Sequence, residues 1–185
     1  MWSRSSQHSH FQLECLQPLR KHSRGMTLIE MMVVVVILSV LTTLAITGYR
    51  KLVYQSRNAE AYYFLGAIRA AQNTYYNTFG QYSGSMNWSE WPAGPYPLHT
   101  RSAWEEPTEV TWQHLGVRPE SPVWFKYRIR ASDQASDAPA EAFEPDPTGP
   151  WFQAQARGDF NGDQKTSIFE ITSGKSDIYV EDANE

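Results

Sequence analysis

Apolar residues follow three different patterns along the chain. Leu28 to Ile46 is a continuous run of 19 residues with one charge, Glu30. At 1.5 Å rise per residue, a helix of that length spans roughly 28 Å, about one hydrocarbon core. Ser39, Thr42 and Thr43 can hydrogen-bond back onto such a helix. Past Arg50 the run becomes periodic. Ala61, Leu65, Ile68, Ala71 and Tyr75 recur at spacings of three and four, the stripe of an amphipathic helix. No proline interrupts Thr27 to Phe79, and Gly80 is placed to stop the helix. The predicted helix of about 50 residues would extend roughly 75 Å.

The third pattern is alternation. In Pro122 to Ala131, Val123, Phe125, Tyr127 and Ile129 face one way, and Trp124, Lys126, Arg128 and Arg130 the other. This is a half-buried strand, with the basic row read as a solvated face, the alternatives being acidic neighbours or nucleic acid. Trp151 to Arg157, Ser167 to Thr172 and Asp177 to Val180 read as further strands, and Ser132 to Pro150 as a loop. Phe152, Ala154 and Ala156 share one side. The fold class is α+β: a long N-terminal helix, membrane-spanning in its first half, packed on a three- or four-stranded antiparallel sheet.

Between helix and sheet, Gln81 to Pro107 is irregular. It holds Pro92, Pro95, Pro97 and Pro107 with Trp88, Trp91 and Trp104. Two readings stand: the tryptophans cover the head's own core, or they form a subunit interface or recognition loop. Val110 to Gly116 reads as a short turn or strand, with His114 structural.

The charge inside the first run needs a reason. An ionised group at the centre of a bilayer costs on the order of 2.5–3.5 kcal/mol, and less near an end. A plain single-pass anchor would tolerate Glu30 near the interface. A secretory signal would explain the basic flank, with cleavage near Ala45. The residues Gly25-Met26-Thr27-Leu28-Ile29-Glu30 and the run behind them carry more information. They resemble the N-terminal processing and methylation motif of type IV pilins and type II secretion pseudopilins, over roughly Arg24 to Tyr49.

The resemblance implies that a prepilin peptidase cleaves between Gly25 and Met26, and that the new amino group of Met26 is N-methylated. It implies that Glu30 drives assembly by pairing with the Met26 ammonium of a neighbouring subunit. Two opposite charges in an apolar bundle are costly alone and tolerable together. The expected organisation is a leader, 1–25; a transmembrane and assembly helix, 26–49; its amphipathic continuation, 50–79; and a head, 80–185, with loop 80–121 and sheet 122–181. Two departures are visible. Thr47 stands where many family members carry proline, and Ser39 where glycine is common.

Charge and cysteine add to this picture. Arg20, Lys21 and Arg24 flank the apolar run, which favours a cytoplasmic leader. His8, His10 and His22 belong to that leader and are read as part of a tail to be removed. Without its four Lys/Arg and one Glu, the 16 basic and 20 acidic residues become 12 and 19, a balance of −7. Such a surface is a poor general nucleic-acid binder. The single cysteine, Cys15, lies in the leader, so the remainder cannot form the disulfide that clamps many pilin heads.

Asp159, Asn161, Asp163, Lys165, Ser167 and Glu170 fall at positions 1, 3, 5, 7, 9 and 12 of a calcium-type loop, Lys165 through its carbonyl. Gln164 occupies position 6, where glycine is usual. The alternative is an Asn161-Gly162 hairpin turn.

No nucleophile–base pair, phosphate loop or zinc cluster marks an enzyme. The expectation is a structural subunit, a pilin or minor pilin, with no cofactor unless calcium binds. Its partners would be the prepilin peptidase, an inner-membrane assembly platform, other pilin subunits and the membrane. Its head would be periplasmic, and after assembly it would stand in a cell-surface fibre. The alternatives are a type II secretion pseudopilin, or a membrane-tethered binding module that never polymerises.

Overall fold

The computed structural model describes residues 25–94, 100–160 and 162–183. The leader expectations at 1–24, Pro95, Pro97 and Asn161 lie outside those residues. The chain divides into two compact units between Thr43 and Leu44.

A helix, α1, covers Leu28–Phe79. In the first unit its residues are all exposed, and its best 18-residue window has mean hydropathy 2.5. Ser39, Thr42 and Thr43 hydroxyls donate to the carbonyls of Val35, Leu38 and Ser39, at 2.7, 2.7 and 2.9 Å, as expected of hydroxyls on an apolar helix. α1 ends where Gly80 takes a left-handed φ of 72° and donates its N–H to the Tyr76 carbonyl at 2.8 Å.

In the second unit, α1 buries Ala61, Phe64, Leu65, Ile68 and Gln72. The first, third and fourth belong to the expected stripe, while Ala71 and Tyr75 are half-buried. Against them stands an antiparallel sheet of five strands in sequence order: β1 (Ser89–Trp91), β2 (Lys126–Ser132), β3 (Trp151–Gly158), β4 (Ser167–Thr172) and β5 (Tyr179–Glu181). Three or four strands were expected. The additional strand is β1, three residues of the tryptophan-rich segment, too short to show a period.

Register explains how helix and sheet fit. Tyr127, Ala156 and Phe169 lie side by side across β2, β3 and β4, as do Ile129, Ala154 and Ile171. Each row reads large–small–large, so the inner face is lowest along β3. α1 side chains reach the rings on either side. Phe64 packs on Tyr127 with centroids 4.5 Å apart, and Tyr62 meets Phe169 edge-on at 5.3 Å.

The tryptophan segment closes this core. Trp91, Trp104 and Trp112 are buried in it, and Trp104 contacts Phe64 at 5.0 Å and Trp112 at 5.4 Å. For Trp91 and Trp104 the core-covering reading holds; Trp88 lies outside that core, against Arg128 and Arg130. The segment expected as a turn or strand is instead a short helix, α2 (Val110–Leu115). Its β-prone residues matter less than the i, i+3 pair Trp112 and Leu115, which one helical turn places on the buried side. Gly116, at φ 61°, ends it. His114 stacks on Tyr75 at 5.5 Å.

The last described residues are tied down without a disulfide. Asn58 donates to the Ala183 carbonyl at 2.6 Å and Ser167 to that of Asp182 at 2.7 Å. The Arg69 guanidinium donates to the carbonyls of Ser176 and Lys175.

Gln72 is the polar member of the helix stripe. Its amide donates to the Ser83 carbonyl at 2.7 Å and accepts the Ser83 N–H at 2.9 Å, both buried. Gln72→Leu conserves volume and leaves two buried backbone groups unpaired, at about 1–3 kcal/mol each. The expected loss of roughly 2–6 kcal/mol is read by denaturant unfolding of the full chain followed by tryptophan fluorescence. An unchanged midpoint would refute this role for Gln72.

Candidate functional site

The N-terminal segment starts its helix with a reciprocal lock. Thr27 directly precedes α1, and Glu30 is the third helical residue. One Glu30 carboxylate oxygen, Oε2, accepts from both the Thr27 N–H and the Thr27 hydroxyl at 2.7 Å. The Glu30 N–H donates to the Thr27 hydroxyl at 3.3 Å. This is a capping box, which satisfies backbone donors that a helix start leaves orphaned. It was readable as T-x-x-E ahead of an apolar run.

Around the lock the surface is apolar. Met26, Ile29, Glu30, Val33 and Val34 line one shallow groove, and Ile29, Met32, Val33, Val36 and Ile37 another. The carboxylate is the single charge between Met26 and Thr43. Gly25 is exposed, and a Cβ added there would meet nothing within 4 Å.

Residues 20–46 match the family model described as the prokaryotic N-terminal methylation motif. The chain carries this methylation motif. Fimbrial protein EcpC of Eikenella corrodens is 34% identical over 62 residues, 34% of this chain and 40% of that protein. The matched part thus spans well under half the length of that curated relative. No solved structure matches the chain. Motif and relative together support recognition of the type IV pilin family in the methylation-motif segment. They agree with the long apolar helix and the α+β head in describing a pilin-like chain.

The calcium-loop residues other than Asn161, which lies outside the described residues, have the following partners. Asp159 is fully buried, and its two carboxylate oxygens accept the N–H groups of Gly162 at 2.7 Å and Gln164 at 3.0 Å. Asp163 accepts the N–H of Lys165 at 2.8 Å. Gln164, at φ 74°, adopts the left-handed conformation for which glycine is favoured. Ser167 and Glu170 lie three apart on β4, so they point to opposite faces of the sheet. The Ser167 hydroxyl donates to Asp182, while Glu170 accepts the amides of Gln153 and Gln155. Among the described residues, no group of three His, Cys, Asp or Glu is placed to hold a metal. Asp159 organises a turn, with its carboxylate serving the backbone.

The basic row on β2 is not a solvated face. Lys126 is buried and donates to the Gly94 carbonyl at 2.9 Å, and Glu90 lies 3.3 Å away. Arg128 and Arg130 are half-buried over Trp88, at 4.1 and 4.5 Å from its ring centroid. The acidic-neighbour alternative describes Lys126 and Arg128, because Glu90 also lies 3.8 Å from Arg128.

Sequence reasoning also passed over Glu60, a carboxylate at the edge of the helix stripe. Its Oε1 accepts the Trp124 N–H at 2.8 Å and the Tyr127 hydroxyl at 3.4 Å. Burial raises its pKa, and these hydrogen bonds oppose the shift. Tyr127 is pushed well above its ordinary value by burial, then by the Glu60 charge. A carboxyl raised on folding contributes stability below its unfolded pKa and loses it as pH rises through the folded value. Glu60→Gln keeps an acceptor without the charge. It is expected to match or exceed the parent's melting temperature at pH 7 and to flatten the stability profile just above the ordinary carboxylate pKa. Glu60→Ala should lose about 1–2 kcal/mol through the unpaired Trp124 N–H. Melting curves from pH 4 to 8 test both; a Gln variant less stable than Ala at pH 7 would overturn the account.

Proposed function

We propose that this chain is a structural subunit of a type IV pilus, a pilin or minor pilin. It is made with a leader that a prepilin peptidase removes between Gly25 and Met26, and Met26 is then N-methylated. The observation that carries the reading is the Thr27–Glu30 lock at the head of the exposed apolar run that opens α1, inside the methylation motif. An apolar surface of that length requires a lipid or protein environment. Gly25 is consistent with processing: it is exposed, and no described residue lies within 4 Å of a Cβ added there. The relative's description as fimbrial favours a pilus over a secretion piston.

In this reading the subunit waits in the inner membrane with its head in the periplasm. The lock keeps the carboxylate hydrogen-bonded there, which lowers the cost of holding it near hydrocarbon. Assembly exchanges or supplements that bond with the methylated Met26 ammonium of a neighbour. The charge match then favours one axial register among many apolar ones.

Two variants separate the cap from the charge. Glu30→Gln retains a capping-box residue. It is expected to keep normal membrane levels and helix content but to lose fibres at least about tenfold, equivalent to 1.4 kcal/mol or more. Glu30→Ala should lose the cap as well as the fibres. The readout is intact mass and N-terminal sequencing of sheared fibres and of membranes. A methylated Met26 terminus in parental fibres supports the proposal. The same terminus confined to membranes would overturn an abundant fibre subunit in favour of a type II secretion pseudopilin or a rare priming subunit. Full fibre yield from Glu30→Gln would refute the charge's role.

A further inference from the structure

The outer face of the sheet, turned away from α1, is a built groove. Register lays a row across all five strands: Glu90, Arg128, Gln155, Glu170 and Tyr179. Beside it, Arg130, Gln153 and Thr172 form a second row. Hydrogen bonds tie five of these side chains together, those of Arg128, Arg130, Gln153, Gln155 and Glu170. Arg128 donates twice to Gln155 Oε1, at 2.8 and 2.6 Å, and Arg130 donates to Gln153 Oε1 at 2.7 Å. Both glutamine amides donate to one oxygen of Glu170, Oε2. Gln153 and Gln155 are buried although they face away from the main core.

Walls rise on three sides of this floor. At one end, Ala142 and Phe143 pack on Trp151, whose indole N–H donates to the Gln134 carbonyl at 3.0 Å. Trp88 stands over the two arginines. Opposite, β5 contributes Tyr179, which is 60% exposed. The enclosed volume is about 560 Å³, within the range of small-molecule sites.

We propose that this groove binds a neutral saccharide. Its chemistry narrows the ligand class. The lining cations are Arg128, Arg130 and Lys175, and four carboxylates including Glu170 balance them, so no polyanion is selected. The floor is too polar for an apolar ligand. Planar guanidinium, amide and carboxylate groups suit a ligand that offers paired hydroxyls. The exposed Tyr179 ring offers an apolar body with a polar handle, which matches the CH face of a sugar ring. The Arg130 terminal nitrogens hydrogen-bond to no other described residue and are available as donors. Because the floor is already held in place by its own bonds, little ordering is needed when a ligand arrives.

The proposal does not depend on fibre assembly. It is tested with the full chain in a sugar-free zwitterionic detergent, on immobilised neutral oligomers of glucose, galactose and N-acetylhexosamines. Sialylated oligosaccharides and heparin serve as anionic controls. At least one neutral oligomer is expected to bind with Kd below about 1 mM. Tyr179→Ala should weaken it at least about tenfold at unchanged melting temperature, and Tyr179→Phe should weaken it less, because the ring remains. Trp88→Ala should also weaken it, through the loss of the wall over the arginines. The proposal fails if no neutral oligomer binds, if only the anionic controls bind, or if Tyr179→Ala binds as the parent does.

Discussion

The head depends on the low ground along β3. Ala154 and Ala156 sit between larger residues on β2 and β4, and the α1 stripe is buried above that face. A larger residue at either alanine would have to displace side chains in a core where Leu65, Ile68 and Phe169 are already fully covered. The tryptophans and α2 follow from the same contact. Trp104 and Trp112 fill the space beside Phe64, so the described residues around them pack on the core they close.

The methylation-motif segment obeys a different constraint. A long apolar helix with one carboxylate must give that carboxylate partners. Thr27 supplies them locally, with a backbone and a side-chain donor. The arrangement lets one residue serve two states. In a lone chain Glu30 caps its helix, and its negative charge remains the only one on an otherwise apolar face, available to a cationic partner. Thr27 is therefore part of the assembly chemistry we propose, alongside Gly25, Met26 and Glu30.

The two faces of the sheet do different physical work. The inner face excludes water with rings and aliphatic side chains. The outer face is also ordered, but by hydrogen bonds between side chains that neutralise one another. Glu60 and Asp159 show the same economy elsewhere: the half-buried Glu60 accepts the Trp124 N–H and the Tyr127 hydroxyl, and the buried Asp159 accepts the N–H groups of Gly162 and Gln164.

Much of this organisation was legible in the sequence, wherever it rested on neighbouring residues. The proline-free helix ending before Gly80, the methylation motif, Ser167–Thr172 as a strand and the buried set Val123, Phe125, Tyr127 and Ile129 are all periodic or local features. The T-x-x-E cap was equally local. What the tertiary structure decided rests on register between segments tens of residues apart. Lys126, Arg128 and Arg130 alternate as a solvated row would, but partners on β1, β3 and β4 turn that row into a polar floor. Ser167 and Glu170 have calcium-loop spacing, but the strand sends them to opposite faces. β1 exists because β2 offers it an edge, and α2 because Trp112 and Leu115 find a core to enter. Periodicity can say which face of an element is apolar; only pairing can say what the other face will meet.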